Sequence, residues 1–200
     1  MSRIGLFGGT FNPPHNAHHR LALEATQACA LDKVIIMPTY LPPHKSATEL
    51  LSGRDRLELC RRTFTEDCFS FSDYELNKGG KSYTVETLRH LKAQLPEDEF
   101  FLIVGSDMLL SFDRWYCWQE ILTLCSLIVL SREEDISRQD QMDYAENTLH
   151  LAPEEFHVLT CPPQTLSSTQ IRTMLQNGED VSPFLSESAL RLIKEKGYYQ

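Results

Sequence analysis

Two hundred residues, 42% hydrophobic and 24% charged, describe one soluble globular domain, and a chain of this length buries roughly 70% of its unfolded surface without needing staples. The formal net charge of -9 sets the surface against polyanions, which argues against a nucleic-acid platform but allows a local basic site for one small anion. No apolar run reaches the ~20 residues of a membrane span, the polar start after Met1 reads as a strand rather than a secretory leader, and six cysteines without a C-x-x-C pair are expected to be reduced thiols of a cytoplasmic protein rather than a zinc or disulfide set.

In chain order, Ile4–Phe7 is a short apolar run stopped by Gly8-Gly9, the form of a buried strand. Helical spacing of Leu21, Leu23, Ala25 and Ala28 predicts a helix over His18–Ala30. Val34–Met37 is a second strand, ended by Pro38, and Pro42-Pro43 keep the next loop from being helical. A helix is predicted over Arg54–Thr65, an alternating strand over Phe69–Glu75, a glycine turn over Asn77–Lys81 and a helix over Ser82–Ala93. Phe100–Val104 is the most apolar strand, closed by Gly105. Helices over Met108–Trp118 and Ile121–Leu124 follow, then a strand over Ser126–Leu130. Residues 132–147 are charged and apolar-poor and read as a mobile surface segment. A strand at Phe156–Leu159 and helices at Ser168–Gln176 and Glu187–Lys196 complete the chain.

Strands separated by helices imply right-handed crossovers and a parallel sheet. The fold class expected is α/β: a single doubly wound, Rossmann-like parallel sheet with helices on both faces, one domain spanning residues 1–200. Ligands in such sheets lie beyond the carboxyl ends of the strands, where Gly8-Gly9, Pro38, Gly105 and Ser131 fall.

The string GGTFNPPHNAHH (residues 8–19) carries the first chemistry. Gly8 and Gly9 let the backbone turn and approach a ligand closely, which aims the Thr10 and Phe11 amides at the rim. His15 and His18 flank a helix start, whose positive end favours an anion. LSSTQIRTML (166–175) carries the second: Ser167, Ser168 and Thr169 open a helix and Arg172 lies one turn in. Helix capping alone would explain the hydroxyls, but the guanidinium can also grip a phosphate held at that helix end. In the middle of the chain, Trp115 offers a face to an aromatic ring or simply fills a core. Ser82, Tyr83 and Thr84 open a helix able to take a carboxylate. Asp107 accepts from ribose hydroxyls or caps a helix, and Lys45, after Pro-Pro-His, is a phosphate ligand or an exposed loop residue.

The first string resembles the GGTFDPIHxGH signature of the nucleotidylyltransferase superfamily, with Asn12 for Asp, Pro14 for Ile or Val and Ala17 for Gly. LSSTQIR resembles its ISSTxIR signature, with Leu166 for Ile. PTYLPPHK (38–45), GGKSYTVETL (79–88), IVGSDMLLSFDRWYCW (103–118) and SPFLSESALRLIKEKGYY (182–199) are similar to one branch, the bacterial nicotinate-nucleotide adenylyltransferases. Thr39 stands where that family often has Asn, and SREED (131–135) where many members have R-P-G, with Arg132 retained.

The resemblance implies transfer of the AMP group of ATP to nicotinate mononucleotide, with release of pyrophosphate. It implies His18, His15 and Arg172 as the catalytic groups. For ATP it implies Gly8, Gly9, Thr10, Phe11, His15, His18, Lys45, Gly105, Asp107, Ser167, Ser168, Thr169 and Arg172. For the mononucleotide it implies Thr39, His44, Lys45, Ser82, Tyr83, Thr84, Asp107, Trp115 and Tyr116. Mg²⁺ is expected to arrive with ATP, held by phosphates and water rather than by dedicated protein ligands. The partners expected are these two small molecules, with no nucleic acid and no membrane; a homo-oligomer is left open. The competing readings are a relative preferring nicotinamide mononucleotide and a non-catalytic nucleotide binder of the same fold.

Overall fold

The structure, a computed structural model, describes residues 1–40, 50–132, 137–161 and 166–200. Its elements in order are β1 (Arg3–Gly9), α1 (Asn16–Ala28), β2 (Lys33–Pro38), α2 (Gly53–Thr63), β3 (Phe69–Phe71), α3 (Tyr74–Lys78), α4 (Thr84–Gln94), β4 (Glu99–Gly105), α5 (Ser106–Leu109), α6 (Trp118–Leu124), β5 (Ser126–Arg132), α7 (Arg138–Asn147), β6 (Phe156–Cys161), α8 (Ser168–Gln176) and α9 (Glu187–Lys196). The strands form one parallel sheet in the order β3-β2-β1-β4-β5-β6, flanked by helices, as the alternation of strands and helices predicts. The registers pair Ile4 with Phe100, Ile103 with Ile128 and Val129 with Val158. The order reverses beside β1, so the chain leaving β1 is one that a doubly wound sheet leaves uncovered for a ligand.

The chain divides into two compact units. One comprises Met1–Phe7, Leu21–Ile35 and Tyr83–Pro163. Its centre is β4 and β5, whose Phe100–Val104 and Leu127–Leu130 runs are buried throughout, as strands covered on both faces must be. Helices α4 and α6 pack together, burying Val85, Leu88, Leu91 and Ile121, and the Arg89–Glu120 ion pair joins them at the surface.

The other comprises Gly8–Arg20, Ile36–Ser82 and Gln164–Gln200. Its core gathers Leu59, Ile171, Val181, Leu185, Ala189, Leu192 and Ile193, with α2 against α9. Ser186 caps the start of α9, and Gly197, at φ 65°, supplies the left-handed residue that ends it. Among the described residues no helix is long and apolar enough to cross a membrane.

Three expectations need correction. The strand predicted over Phe69–Glu75 is only Phe69–Phe71. Ser72 N–H donates to Ile36 O and the Ser72 hydroxyl accepts from Tyr74 N–H, so the chain leaves the sheet into α3, and Glu75, Asn77 and Lys78 are helical. The helix predicted over Met108–Trp118 is broken: α5 stops at Leu109, Phe112–Arg114 is a 3₁₀ turn and Cys117 is left-handed at φ 53°. Leu109 in α5 and Phe112 in the 3₁₀ turn are both fully buried, so the chain keeps an apolar side inward across the break. Within the segment 132–147, read as irregular surface, the described residues Arg138–Asn147 form α7. Ser137 caps that helix through Asp140 N–H, and its inward positions four apart are Gln141 and Ala145. Gln141 donates to the Ser131 hydroxyl at 2.5 Å, so a polar side chain fills the place an apolar one usually marks.

Candidate active site

The loop after β1 is shaped by aromatic packing. Neither Gly8 nor Gly9 has a positive φ, and both still belong to β1; the left-handed residue is Phe11, at φ 48°. The glycines therefore do not make the turn that the sequence suggests. A Cβ on Gly9 would meet the Phe11 ring at 2.9 Å, whereas one on Gly8 would meet nothing within 4 Å. Gly9 makes room for Phe11, and Gly8 leaves open space. The buried Phe11 ring meets His18 edge-on, with centroids 5.3 Å apart, and Phe64 likewise at 5.9 Å.

His15 and His18 lie together with ring centroids 3.7 Å apart. His15 is buried (3% exposed) and His18 half-buried. The His15 backbone N–H donates to His18 Nδ1 at 3.3 Å. A ring nitrogen that accepts carries no proton, so neutral His18 holds its hydrogen on Nε2 and is a donor there. At the start of α1, Asn16 N–H donates to Phe184 O at 2.8 Å. That amide is thus not the phosphate donor that a bare helix end would offer.

The second signature holds the first in place. Ser167 caps α8 in a reciprocal pair with Gln170: the Gln170 N–H donates to the Ser167 hydroxyl, and Gln170 Oε1 accepts from the Ser167 N–H at 2.8 Å. The Ser168 hydroxyl donates to Pro13 O at 2.9 Å. Arg172 donates through one terminal nitrogen to Asn12 O at 2.9 Å and through the other to the Thr169 hydroxyl at 3.4 Å. The predicted residues His15, His18, Ser167, Ser168, Thr169 and Arg172 thus belong to one compact unit, with α8 tied to the loop by two hydrogen bonds.

Two residues that motif reading missed complete this arrangement. Arg56 is 1% exposed and donates to four backbone carbonyls: Thr10 at 2.7 Å, Thr39 at 2.7 Å, Tyr40 at 3.2 Å and Leu51 at 3.1 Å. Burial, above all, pulls its guanidinium below the usual arginine range. The signal for it was present: positions 56, 59, 60 and 63 form the buried stripe of α2, and Arg56 is the cation on that stripe. Tyr199 donates its hydroxyl to Asn12 Oδ1 at 2.9 Å, where Leu51 N–H also donates at 3.2 Å. Asn12 (2% exposed) thus orders the loop from both ends, as a polar side chain at this place can. Burial pushes the Tyr199 hydroxyl far above the usual tyrosine range, so it stays a donor.

The residues expected at the mononucleotide fall in several places. Thr39 N–H donates to Gly9 O at 2.9 Å, while the Thr39 hydroxyl is buried with no hydrogen-bond partner among the described residues. Ser82 accepts from Tyr40 N–H at 3.3 Å. In the other unit, Tyr83 precedes α4 and Thr84 begins it, and the Tyr83 ring lies 4.9 Å from the exposed ring of Tyr116. Trp115 stacks one face on Phe112, with centroids 4.9 Å apart. Gly105 caps α5, so Asp107 is an exposed residue inside that helix rather than its cap. His44 and Lys45 lie outside the described residues. Cys29, Cys60 and Cys125 are buried free thiols, and burial pushes Cys125 up to about 12, far from thiolate reactivity.

Against known proteins, the cytidylyltransferase-like family model matches residues 6–174. A Clostridium botulinum protein carrying the name "probable nicotinate-nucleotide adenylyltransferase" is 36% identical over 203 residues, covering 100% of this chain and 99% of its own length. A protein of the same name from Shewanella sediminis is 37% identical, covering 99% and 98%. Among solved structures, a Plasmodium falciparum nicotinic acid mononucleotide adenylyltransferase complexed with NaAD superposes with a TM-score of 0.81 at 16% identity, covering 100% of this chain and 98% of that one. The same enzyme complexed with APC gives 0.78 at 14% identity with the same coverage. The two solved structures bear on the fold alone, but the full-length relatives decide the family: the chain belongs to the cytidylyltransferase-like proteins and, within them, to the bacterial nicotinate-nucleotide adenylyltransferases.

Proposed function

We propose that this chain transfers the AMP group of ATP to nicotinate mononucleotide, giving nicotinic acid adenine dinucleotide and pyrophosphate, a step of NAD biosynthesis. The observation that carries the reading is the pair of bonds from Arg172 and Ser168 to the Asn12 and Pro13 carbonyls, which joins the two phosphate-handling signatures in one unit.

The attacking oxygen is the 5′-phosphate of the mononucleotide, already ionised near neutral pH, so no side chain has to remove a proton. The work left to the protein is to bring two polyanions together and to stabilise the charge that builds on the α-phosphate. His18, a donor at Nε2, takes the α-phosphate oxygen, and His15 lies tilted against it as the second imidazole. Arg172, with Ser167, Ser168 and Thr169 at the start of α8, receives the β- and γ-phosphates, joined by Lys45. Trp115, stacked by one face on Phe112, offers the other to the nicotinate ring. Tyr83 and Thr84 at the start of α4 receive its carboxylate; Thr39, whose buried hydroxyl has no hydrogen-bond partner among the described residues, is also assigned to the mononucleotide. Asp107 accepts from the ribose. Mg²⁺ comes with the triphosphate; among the described residues no three His, Cys, Asp or Glu side chains are grouped to hold a metal ion.

The test is pyrophosphate release by the pure chain with ATP, Mg²⁺ and nicotinate mononucleotide, run beside the amide mononucleotide and a control without acceptor. Release that depends on the acid, and is faster with it than with the amide, is the expected result. Faster turnover of the amide overturns the substrate, and nucleotide binding without release in either arm overturns the enzyme.

A further inference from the structure

We propose that Arg56 is a positioning residue that locks the loop after β1 to the loop after β2, and so fixes the separation and angle at which the two substrates meet. The inference rests on the adenylyltransferase reading above. One planar guanidinium, buried, donates to Thr10 O on the first loop and to Thr39 O and Tyr40 O on the second. Its Nε donates to Leu51 O, two residues before α2 begins, which anchors the side chain to its own helix start. The first loop runs on to His15 and His18, which handle ATP; the second carries Thr39, assigned to the mononucleotide.

Apart from Arg56, two bonds among the described residues tie these loops, Thr39 N–H to Gly9 O and Leu51 N–H to Asn12 Oδ1. Neither bond engages the carbonyls of Thr10, Thr39 or Tyr40, which leaves those stretches of the two loops able to turn against each other. The guanidinium removes that freedom, because its donors diverge in one rigid plane and reach one carbonyl on the first loop and two on the second. Lysine keeps the charge but presents a compact ammonium on a flexible stem, without the fixed fork. Neither substrate touches Arg56, so each still binds when the fork is lost; what suffers is their mutual alignment. Misalignment by about 1 Å costs on the order of 10²-fold in rate, and a loss confined to the transition state falls on kcat rather than on KM.

The experiment compares the unsubstituted chain with Arg56→Lys by pyrophosphate release, varying each substrate in turn, with rates normalised to the folded fraction from circular dichroism. The expected result is a kcat lowered by at least ~10-fold, with both KM values within ~3-fold of the parent. An unchanged kcat per folded molecule overturns the proposal, as does a loss that appears only in KM. If Arg56→Lys does not fold, Arg56→Gln is measured by the same criteria, and failure of both to fold overturns it too, because Arg56 is then a folding determinant. A parent chain that releases no pyrophosphate refutes the activity itself, which an active parent with an unaffected variant does not.

Discussion

A backbone amide decides what His18 can do. Because His15 N–H donates to His18 Nδ1, the imidazole keeps its proton on Nε2 without having to be charged. His18→Ala should lower kcat by at least ~10²-fold, the cost of one lost transition-state donor, while the melting temperature moves little because the ring is only half-buried; near-parental turnover in the folded variant would take His18 out of the chemistry. Thr39 gives a second test. A buried hydroxyl without a partner costs stability, so Thr39→Val should melt at the same temperature or higher. The same change should raise the KM for the mononucleotide and leave that for ATP alone; equal rises in both would contradict the assignment. The histidines and Arg172 were legible because each lies inside a short contiguous signature. Arg56 and Tyr199 were not, because their partners lie at other places in the chain: backbone carbonyls as far as residue 10 for Arg56, and Asn12, 187 residues away, for Tyr199. Motif reading looks for side chains that face a ligand, and these two face the protein.

Elements were readable where one face is apolar and uninterrupted. Helices α8 and α9 run between the residues expected, since each begins at a serine cap and carries a clear apolar stripe. Reading failed where burial and hydrophobicity part company. Helix α7 turns Gln141 inward, so its inner face looks polar in sequence, whereas α2, which also buries Arg56, keeps enough apolar neighbours to be read as the helix it is. It failed again between Met108 and Trp118, where one helix was expected and the chain breaks after Leu109 into a 3₁₀ turn and a left-handed Cys117. The tail after α9 shows how an element's end can matter more than its body. Beyond the left-handed Gly197, Tyr198 donates to Asp55 Oδ1 at 2.7 Å and Tyr199 to Asn12 Oδ1, so the last turn holds both α2 and the loop after β1. Tyr199→Phe keeps the ring and removes one hydrogen bond. It should cost about 1 kcal/mol in urea unfolding and raise the KM for ATP, with the KM for the mononucleotide unchanged. A loss of stability with an unaltered KM for ATP would reduce the tail to a structural strap.

At the scale of the whole molecule, the titrating groups predict how folding responds to acid. His157 has its pKa lowered from 6.5, first by burial and then by the nearby charge of Arg3. In the unfolded chain it takes up a proton below about pH 6.5, while in the folded chain it resists. The unfolded state therefore binds more protons in that window, and stability, fully present above it, is lost as pH falls through it. The carboxylates act lower down. Asp55, held below the usual range mainly by the Ser52 hydroxyl, and Asp180, held mainly by Ser182, contribute stability present above their ordinary value of 3.8 and lost as pH falls beneath it. Unfolding should thus ease in two stages, a first as pH falls below about 6.5 and a second below pH ~4. The first is the one a single substitution can isolate. Melting temperatures taken from pH 8 to pH 5 should decline for the parent, and the decline should be shallower in His157→Gln, which has no proton to take up. An identical slope in both chains would assign the first stage to another group, and the second stage would persist in both because its carboxylates are untouched.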